Sequence, residues 1–524
     1  NICMLVKMLK YVHNKVRLGK NLNLFKKRNL SAVKSSENQN FVDGRRCLPQ
    51  LHTSSKVINN INPGTGAIIG QFYCSGKDEL ERAVANSKEA FEVWSHQTVS
   101  ERSSIFRRAA KAIRSKKLDI ARLETIDTGK TITESSMDVD AVIESCNYYA
   151  SLCYMLHGQQ IPVHNGALVY TVREPLGVCL GIGAWNFPFL NIAWKALPAL
   201  ACGNTLVYKP SPNTPITSVV FAEIMADVGL PAGCLNIVQG DGEAGQYLCE
   251  HKDIAKVSFT GSISTGTKIM AACAPTLKKL TLELGGKSPL VIFEDADIDN
   301  AVQGALMANF IIQGEACSNG TRVYVHESIL DSFLEKVVEA TRNLNIGDTM
   351  DARTHIGALI SLEHLEKVQG FINRAVSEGA KILCGGDKPK FENRSFANGY
   401  YINPCIMTHC HDGMEIIKEE HFGPIMCVMP FSNEEEVLNR ANSSTTGLAA
   451  GVFTKNISRA HKFIAKLQAG SCYINTYNMY PVQVPFGGNK MSGIGRENGT
   501  QVIEHYTQTK SVYVELNEVD SIFK

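Results

Sequence analysis

The chain has 524 residues, 44% of them hydrophobic, which is enough to bury a large core and predicts more than one subdomain. Its 53 Lys and Arg nearly cancel 51 Asp and Glu, so the formal charge of +2 provides no basic field for nucleic acid, and none is expected as a partner. Sixteen cysteines without dense regular spacing fit a reducing compartment rather than a disulfide framework, and Cys202, Cys249 and Cys273 read as small hydrophobes.

Residues 1–36 carry nine Lys or Arg and no acidic residue before Glu37. That composition fits a mitochondrial transit peptide, a disordered cytosolic tail or untranslated sequence, leaving the compartment mitochondrial or cytoplasmic. A globular pattern begins at Asn40-Phe-Val-Asp-Gly44. Ser75-Gly-Lys-Asp78 reads as a capping box, and Leu80, Val84, Phe91 and Trp94 fall on one face of the helix after it. Ile105, Ala109, Ala112 and Ile113 predict a second amphipathic helix beside the first.

Ile161-Pro-Val163 and Ala167 to Arg173 are extended runs joined through His164-Asn-Gly166, a hairpin turn signal. From Gly177, short apolar runs alternate with helical periodicity: Val178 to Ile182, Thr205 to Tyr208, Leu235 to Val238 and Lys256 to Phe259, with a helix at Pro215 to Val228. This predicts a parallel sheet with crossover helices. The stretch from Leu176 to Val207 is apolar, but Lys195, Asn186, Asn191 and two prolines argue against a membrane span. The alternation restarts with Leu290 to Phe293, Thr321 to Val325 and a helix at Ser328 to Leu344, implying a second α/β domain. Ser511 to Leu516 reads as a terminal strand with no sequence neighbour. No metal is expected at Cys405, Cys410, His409 and His411, because no second Cys-x-x-Cys follows at finger spacing.

Two residues thirty-four positions apart look like a nucleophile and a base. Cys317 lies in Gln313-Gly-Glu-Ala-Cys-Ser-Asn-Gly320, between flexible positions that suit a thiol presented at a loop-to-helix junction. Only a thiolate attacks well, so its pKa is expected to fall through a helix dipole or cofactor charge. Glu283 lies in Leu282-Glu-Leu-Gly-Gly-Lys287, where desolvation raises its basicity towards that of a general base. The alternatives are a buried structural thiol and a strand-end carboxylate capping a helix.

Trp185-Asn-Phe-Pro188, Tyr208-Lys-Pro-Ser211, Phe259-Thr-Gly-Ser262, Leu282 to Lys287, Gly314 to Cys317, Glu420-His-Phe-Gly-Pro424 and Pro485-Phe-Gly-Gly488 occur together in this order. In order and spacing they resemble the NAD-dependent aldehyde dehydrogenases over residues 40 to 523. The resemblance implies an α/β aldehyde dehydrogenase fold with a Rossmann-like NAD-binding domain at 40–156 and 174–283 and a catalytic domain at 284–498. A β-arm for oligomerisation would comprise 157–173 and 499–524, after a leader or tail at 1–39, in a homodimer or homotetramer.

It also implies roles. Cys317 attacks a small-molecule aldehyde, Asn186 and the Cys317 backbone N–H hold the oxyanion, and Glu283 activates the hydrolytic water. Trp185, Lys209, Gly261, Ser262, Ile263, Ser264, Thr265, Glu420 and Phe422 would hold NAD. Pro212 stands where many NAD-preferring members carry glutamate, and Glu315 where glutamine is commoner; a carboxylate there would raise the thiol pKa. The likeness is greatest to the branch that oxidises trimethylammonium aldehydes. A cation-binding tunnel of Tyr149, Phe187, Trp194, Tyr477 and Phe486, with Asp138 as an acidic group at the mouth, would suit that substrate class. The rival readings are a broad-specificity aldehyde dehydrogenase, a catalytically silent structural protein on the same fold, and a cysteine hydrolase, which would need a histidine base.

Overall fold

A computed structural model describes residues 39–47, 56–164 and 166–523; the basic segment 1–36 and Asn165 of the predicted turn lie outside the described residues. Two sheets, parallel at their centres and with antiparallel pairing towards their edges, carry the core. The first has eight strands, ordered Arg45–Cys47, Asn40–Val42, Leu235–Ile237, Thr205–Lys209, Val178–Ile182, Ile254–Gly261, Lys279–Leu284 and Gly493–Ile494. Val178–Ile182 pairs in parallel with both Thr205–Lys209 and Ile254–Gly261. The chain therefore builds outward from Val178–Ile182 first to one side and then to the other, and the strand order reverses beside it. In open α/β sheets the crevice at the carboxyl ends of such strands is where ligands bind.

The fully buried strands are the near-continuous apolar runs seen in the sequence, because helices cover both faces of a parallel sheet. The apolar stretch 176–207 folds as strand Val178–Ile182, helix Pro188–Ala201 and strand Thr205–Lys209. Among the described residues no helix is long and apolar enough to cross a membrane. The predicted Ser75 capping box does not form: Gly76 is the N-cap of helix Lys77–Trp94, Glu79 supplies half of such a box by accepting its N–H at 2.9 Å, and Ser75 bonds Asn40 instead.

The second sheet has seven strands, ordered Lys381–Cys384, Cys405–Thr408, Ile425–Phe431, Arg322–His326, Pro289–Ile292, Ala449–Phe453 and Ser471–Ile474. Only the edge strand Lys381–Cys384 pairs antiparallel. Gly493 and Ile494, although late in the chain, return to the first sheet and pair antiparallel with Glu283 and Leu282. That return strand closes the side of the sheet on which Glu283 sits.

The terminal strand, Thr507–Glu515, finds its partner in Ala167–Pro175, which also pairs with the short strand Gln160–Ile161. Leu168, Tyr170 and Val172 share one face of that strand by alternation and are exposed, with Val514, Val512 and Lys510 directly opposite.

Candidate active site

A cleft of about 550 Å³, open solvent at its mouth included, lies where the two sheets meet. Of the residues singled out from sequence, Cys317, Glu283, Asn186, Phe187, Trp194 and Phe486 line it. Asn186 and Phe187 precede helix Pro188–Ala201, whose first turns add Leu190 and Trp194 to the wall. Glu283 comes from the end of strand Lys279–Leu284.

Cys317 does not sit at a loop-to-helix junction: it occupies a turn between the short turn Ile311–Gly314 and strand Arg322–His326, so it does not cap a helix of its own. Burial, reinforced by the Glu420 and Glu283 carboxylates, pushes its thiol up to about 12, opposite to the lowered value expected from sequence. Glu315 is not among the main causes of that shift. Its Oε1 accepts from the Ile360 backbone N–H at 3.0 Å and its Oε2 from Gln313 Nε2 at 2.8 Å.

Glu283 is 4% exposed, and neither carboxylate oxygen has a hydrogen-bond partner. The reading of it as a helix cap is therefore wrong, since a cap must accept a backbone N–H. Desolvation first, and the Glu497 carboxylate second, hold its pKa well above the ordinary range, against the opposing pull of Lys195 and Arg496. Asn186 donates one amide hydrogen from Nδ2 to the Glu315 carbonyl at 2.8 Å, which fixes the plane of the amide and leaves its second hydrogen free of that bond.

Behind these groups stands a buried set that the sequence reading missed. Lys195 donates from Nζ to Glu497 Oε1 at 2.8 Å and to Thr260 Oγ1 at 2.6 Å, and Ser258 donates to the same Glu497 oxygen at 3.2 Å. Thr260 and Glu497 both line the cleft. The chain thus places Glu283, Glu497 and Lys195 together at one buried site, an arrangement suited to holding and passing a proton.

The aromatic wall differs from expectation in three members. Tyr149 is core: it packs in the helical layer beside the first sheet and its hydroxyl donates to Asn498 Oδ1 at 3.4 Å. Tyr477 is also core, stacked near Tyr473 and donating to the Ser318 carbonyl at 3.1 Å. Asp138 is not at the mouth. It is buried against Lys130, whose Nζ lies 2.5 Å from Asp138 and 3.2 Å from Glu124 and 4.9 Å from the centre of the Phe187 ring. Tyr480, three residues after Tyr477, takes a place in the wall instead: its ring meets Phe486 at 5.7 Å, and Phe486 meets Trp194 at 5.5 Å. Asp138→Asn is accordingly expected to lower the melting temperature by a few degrees, about 1 to 3 kcal/mol, and to leave selectivity among aldehydes unchanged. Thermal melts and relative kcat/KM values for charged and neutral aldehydes check this.

At the strand-order reversal, residues predicted to hold a dinucleotide gather at the carboxyl ends of three adjacent strands. Ser262 caps helix Ile263–Cys273 by accepting the Thr265 N–H at 3.3 Å, and Ser264 and Thr265 are exposed in its first turn, a standing site for an anion. Lys209, at the end of its strand, donates to the Pro210 and Gly240 carbonyls at 2.9 and 3.0 Å, and burial lowers its pKa to about 8. Glu420 accepts the Gly286 N–H at 3.2 Å, and burial raises it to about 7. A Cβ at Gly285 would lie 2.1 Å from a Glu420 oxygen, so any larger residue there would displace the Glu420 carboxylate. Phe422 meets Trp185 edge to face at 5.2 Å. His364, which the sequence reading did not select, donates from Nε2 to the Phe422 carbonyl at 2.7 Å and steadies that pair. An exposed helix start, a lysine and paired aromatic rings along one crevice fit a dinucleotide.

Comparison with known proteins agrees with this geometry. The aldehyde dehydrogenase family model matches residues 51–512. The human 4-trimethylaminobutyraldehyde dehydrogenase is 51% identical over 488 residues, 93% of this chain and 98% of that protein, and the Danio rerio 4-trimethylaminobutyraldehyde dehydrogenase A is 50% identical over 484 residues, 92% and 95%. A putative aldehyde dehydrogenase from Burkholderia cenocepacia superposes with a TM-score of 0.91 at 39% identity, covering 93% of this chain and 100% of its own. A betaine aldehyde dehydrogenase from Staphylococcus aureus, solved in complex with NAD+, gives 0.89 at 36% identity, covering 93% and 97%. A match of this extent in sequence, and in the arrangement of both sheets, places the chain in the aldehyde dehydrogenase family.

Proposed function

We propose that this protein oxidises 4-trimethylaminobutyraldehyde, or a close quaternary-ammonium aldehyde, to its carboxylic acid with NAD. The observation that supports the chemistry is the single cleft lined by Cys317, Glu283 and Asn186. The Cys317 proton passes to solvent at the mouth of the cleft, and its sulphur bonds to the aldehyde carbon as the carbonyl π electrons move onto oxygen. The carbonyl oxygen becomes an oxyanion, held by the free amide hydrogen of Asn186 and by the Cys317 backbone N–H. The residues along the crevice that would hold the nucleotide are Trp185, Lys209, Gly261 to Thr265, Glu420 and Phe422. When bound, NAD supplies the two-electron acceptor that turns the thiohemiacetal into a thioester. Glu283 then takes a proton from water, the water oxygen bonds to the acyl carbon, and Cys317 leaves as the acid forms. The bonded Lys195–Glu497 pair lies beside Glu283 and orders the site around its carboxyl group.

The substrate class follows from the wall. Phe486 meets both Trp194 and Tyr480 ring to ring, and such faces attract a trimethylammonium group. Cation-π contacts of roughly 0.5 to 2 kcal/mol predict a preference of several-fold to about thirtyfold in kcat/KM over a neutral aldehyde of equal length. Steady-state rates of NADH formation with the matched pair measure it. Equal efficiency would reject the quaternary-ammonium assignment and leave aldehyde oxidation standing.

Assembly as a homodimer or homotetramer is part of the same proposal. The exposed face of Leu168, Tyr170 and Val172 on an otherwise paired arm supports it, because an apolar strand face in water favours a second copy. Light scattering at micromolar concentration should give at least a dimer mass, and a monomer would contradict the arm. On composition alone the compartment is proposed as mitochondrial, with residues 1–36 as a transit peptide, or cytoplasmic; a fluorescent fusion of that segment that stays cytosolic rejects the first.

A further inference from the structure

Three consecutive residues ahead of Cys317 adopt left-handed backbone: Ile312 at φ 51°, Gln313 at φ 44° and Gly314 at φ 81°. Glycine does so freely, but glutamine and above all β-branched isoleucine do not, so contacts outside the turn must hold it. Glu134, in the first turn of helix Ile132–Leu152, provides the contact on the isoleucine. Its Oε1 accepts the Ile312 backbone N–H at 2.7 Å. Its Oε2 accepts the Thr131 N–H at 3.1 Å and the Thr131 hydroxyl at 2.9 Å, while Thr131 caps the helix by accepting the Glu134 N–H at 3.3 Å.

Beyond the turn, the Glu315 N–H donates back to the Ile312 carbonyl at 2.8 Å, and the Glu315 carbonyl accepts the Asn186 amide at 2.8 Å. Gly314 lies against the Gly423–Pro424 backbone, where a Cβ would come within 2.2 Å of the Gly423 carbonyl carbon. The turn is therefore fixed at its start by Glu134, in its middle by close packing and at its end by the amide that faces the cleft.

We propose that Glu134 is a positioning residue for aldehyde oxidation: its carboxylate, anchored on a helix cap, locks the left-handed turn that sets both Cys317 and the carbonyl orienting Asn186. This rests on the roles given above to Cys317 and Asn186. Without the bond to its N–H, Ile312 relaxes towards ordinary backbone, and the displacement passes to the Glu315 carbonyl and to Cys317. A misplacement on the order of 1 Å costs up to about a hundredfold in rate. Only a carboxylate serves both anchors, because glutamine would turn its NH2 either on the Ile312 N–H or on the Thr131 donors.

The test compares Glu134→Gln with Thr131→Val, which removes the hydroxyl from the same cap and leaves the acceptor for Ile312 in place. Glu134→Gln is expected to lower kcat about ten- to a hundredfold with KM within about twofold of wild type. It should also slow alkylation of Cys317 by iodoacetamide, followed by mass spectrometry well below the melting temperature. Thr131→Val should lower the melting temperature comparably while leaving kcat and alkylation within about twofold. Glu134→Asp keeps both oxygens but shortens the reach, and should reproduce the kcat and alkylation losses if the glutamine variant does not fold. Wild-type kcat and alkylation in Glu134→Gln, or losses in both Glu134→Gln and Thr131→Val proportional to melting temperature, would overturn the proposal. Alkylation is read without turnover, so failure of the catalytic reading of Cys317 and failure of the clamp remain separate results.

Discussion

Cys317→Ala should reduce aldehyde oxidation to below about 1% of wild type while leaving NAD binding intact, because covalent catalysis is lost and the nucleotide crevice is not touched. Steady-state NADH formation and nucleotide binding by calorimetry, measured on the same preparation, check both halves. Residual turnover above that level would count against Cys317 as the nucleophile. The free protein offers a companion measurement. With the thiol pushed up to about 12 by burial and two carboxylates, alkylation by iodoacetamide should keep rising with pH well past 9, since only the thiolate reacts. Glu283→Gln removes one of those carboxylates and should shift that profile to lower pH. An unchanged profile would mean that Glu283 does not face the sulphur.

What the sequence made legible, and what it hid, divides along the range of the contacts. The parallel strands were readable because burial on both faces leaves runs such as Val178 to Ile182 almost wholly apolar. Cys317, Glu283 and Asn186 stood out because each lies in a run of residues that core packing alone would not select. Tyr149, Tyr477 and Tyr480 carry no such local mark: all are buried or nearly so, and only tertiary packing decides which ring faces the cleft. Asp138 looked free because the lysine that pairs with it, Lys130, lies outside its helix, before the cap at Thr131. The Lys195–Glu497 bond joins residues 302 apart, beyond any periodicity. The left-handed Ile312 was invisible for a different reason, since its conformation contradicts its residue type and exists only because the surroundings impose it.

Glu283→Gln should separate the two halves of the reaction. The change keeps the shape of the side chain, and Glu283 has no hydrogen-bond partner to lose, so acylation of Cys317 should proceed while hydrolysis of the thioester slows by about 10²- to 10⁴-fold. A stopped-flow trace should therefore show a burst of NADH close to one per site, followed by a slow steady state. In the wild type, the hydrolytic rate should rise with pH through a midpoint well above the ordinary carboxylate range, because water activation needs the ionised form that burial and Glu497 disfavour. The same shift acts on stability. Between the unfolded value near 4.5 and its raised folded value, Glu283 binds its proton more tightly in the folded state, so its contribution to stability falls as pH rises through that window. Glu283→Gln should thus be at least as stable as wild type at neutral pH and flatter in its pH dependence, even as turnover collapses. A normal steady state without a burst would remove Glu283 as the deacylating base, and a variant less stable than wild type would mean that its carboxylate has a partner after all.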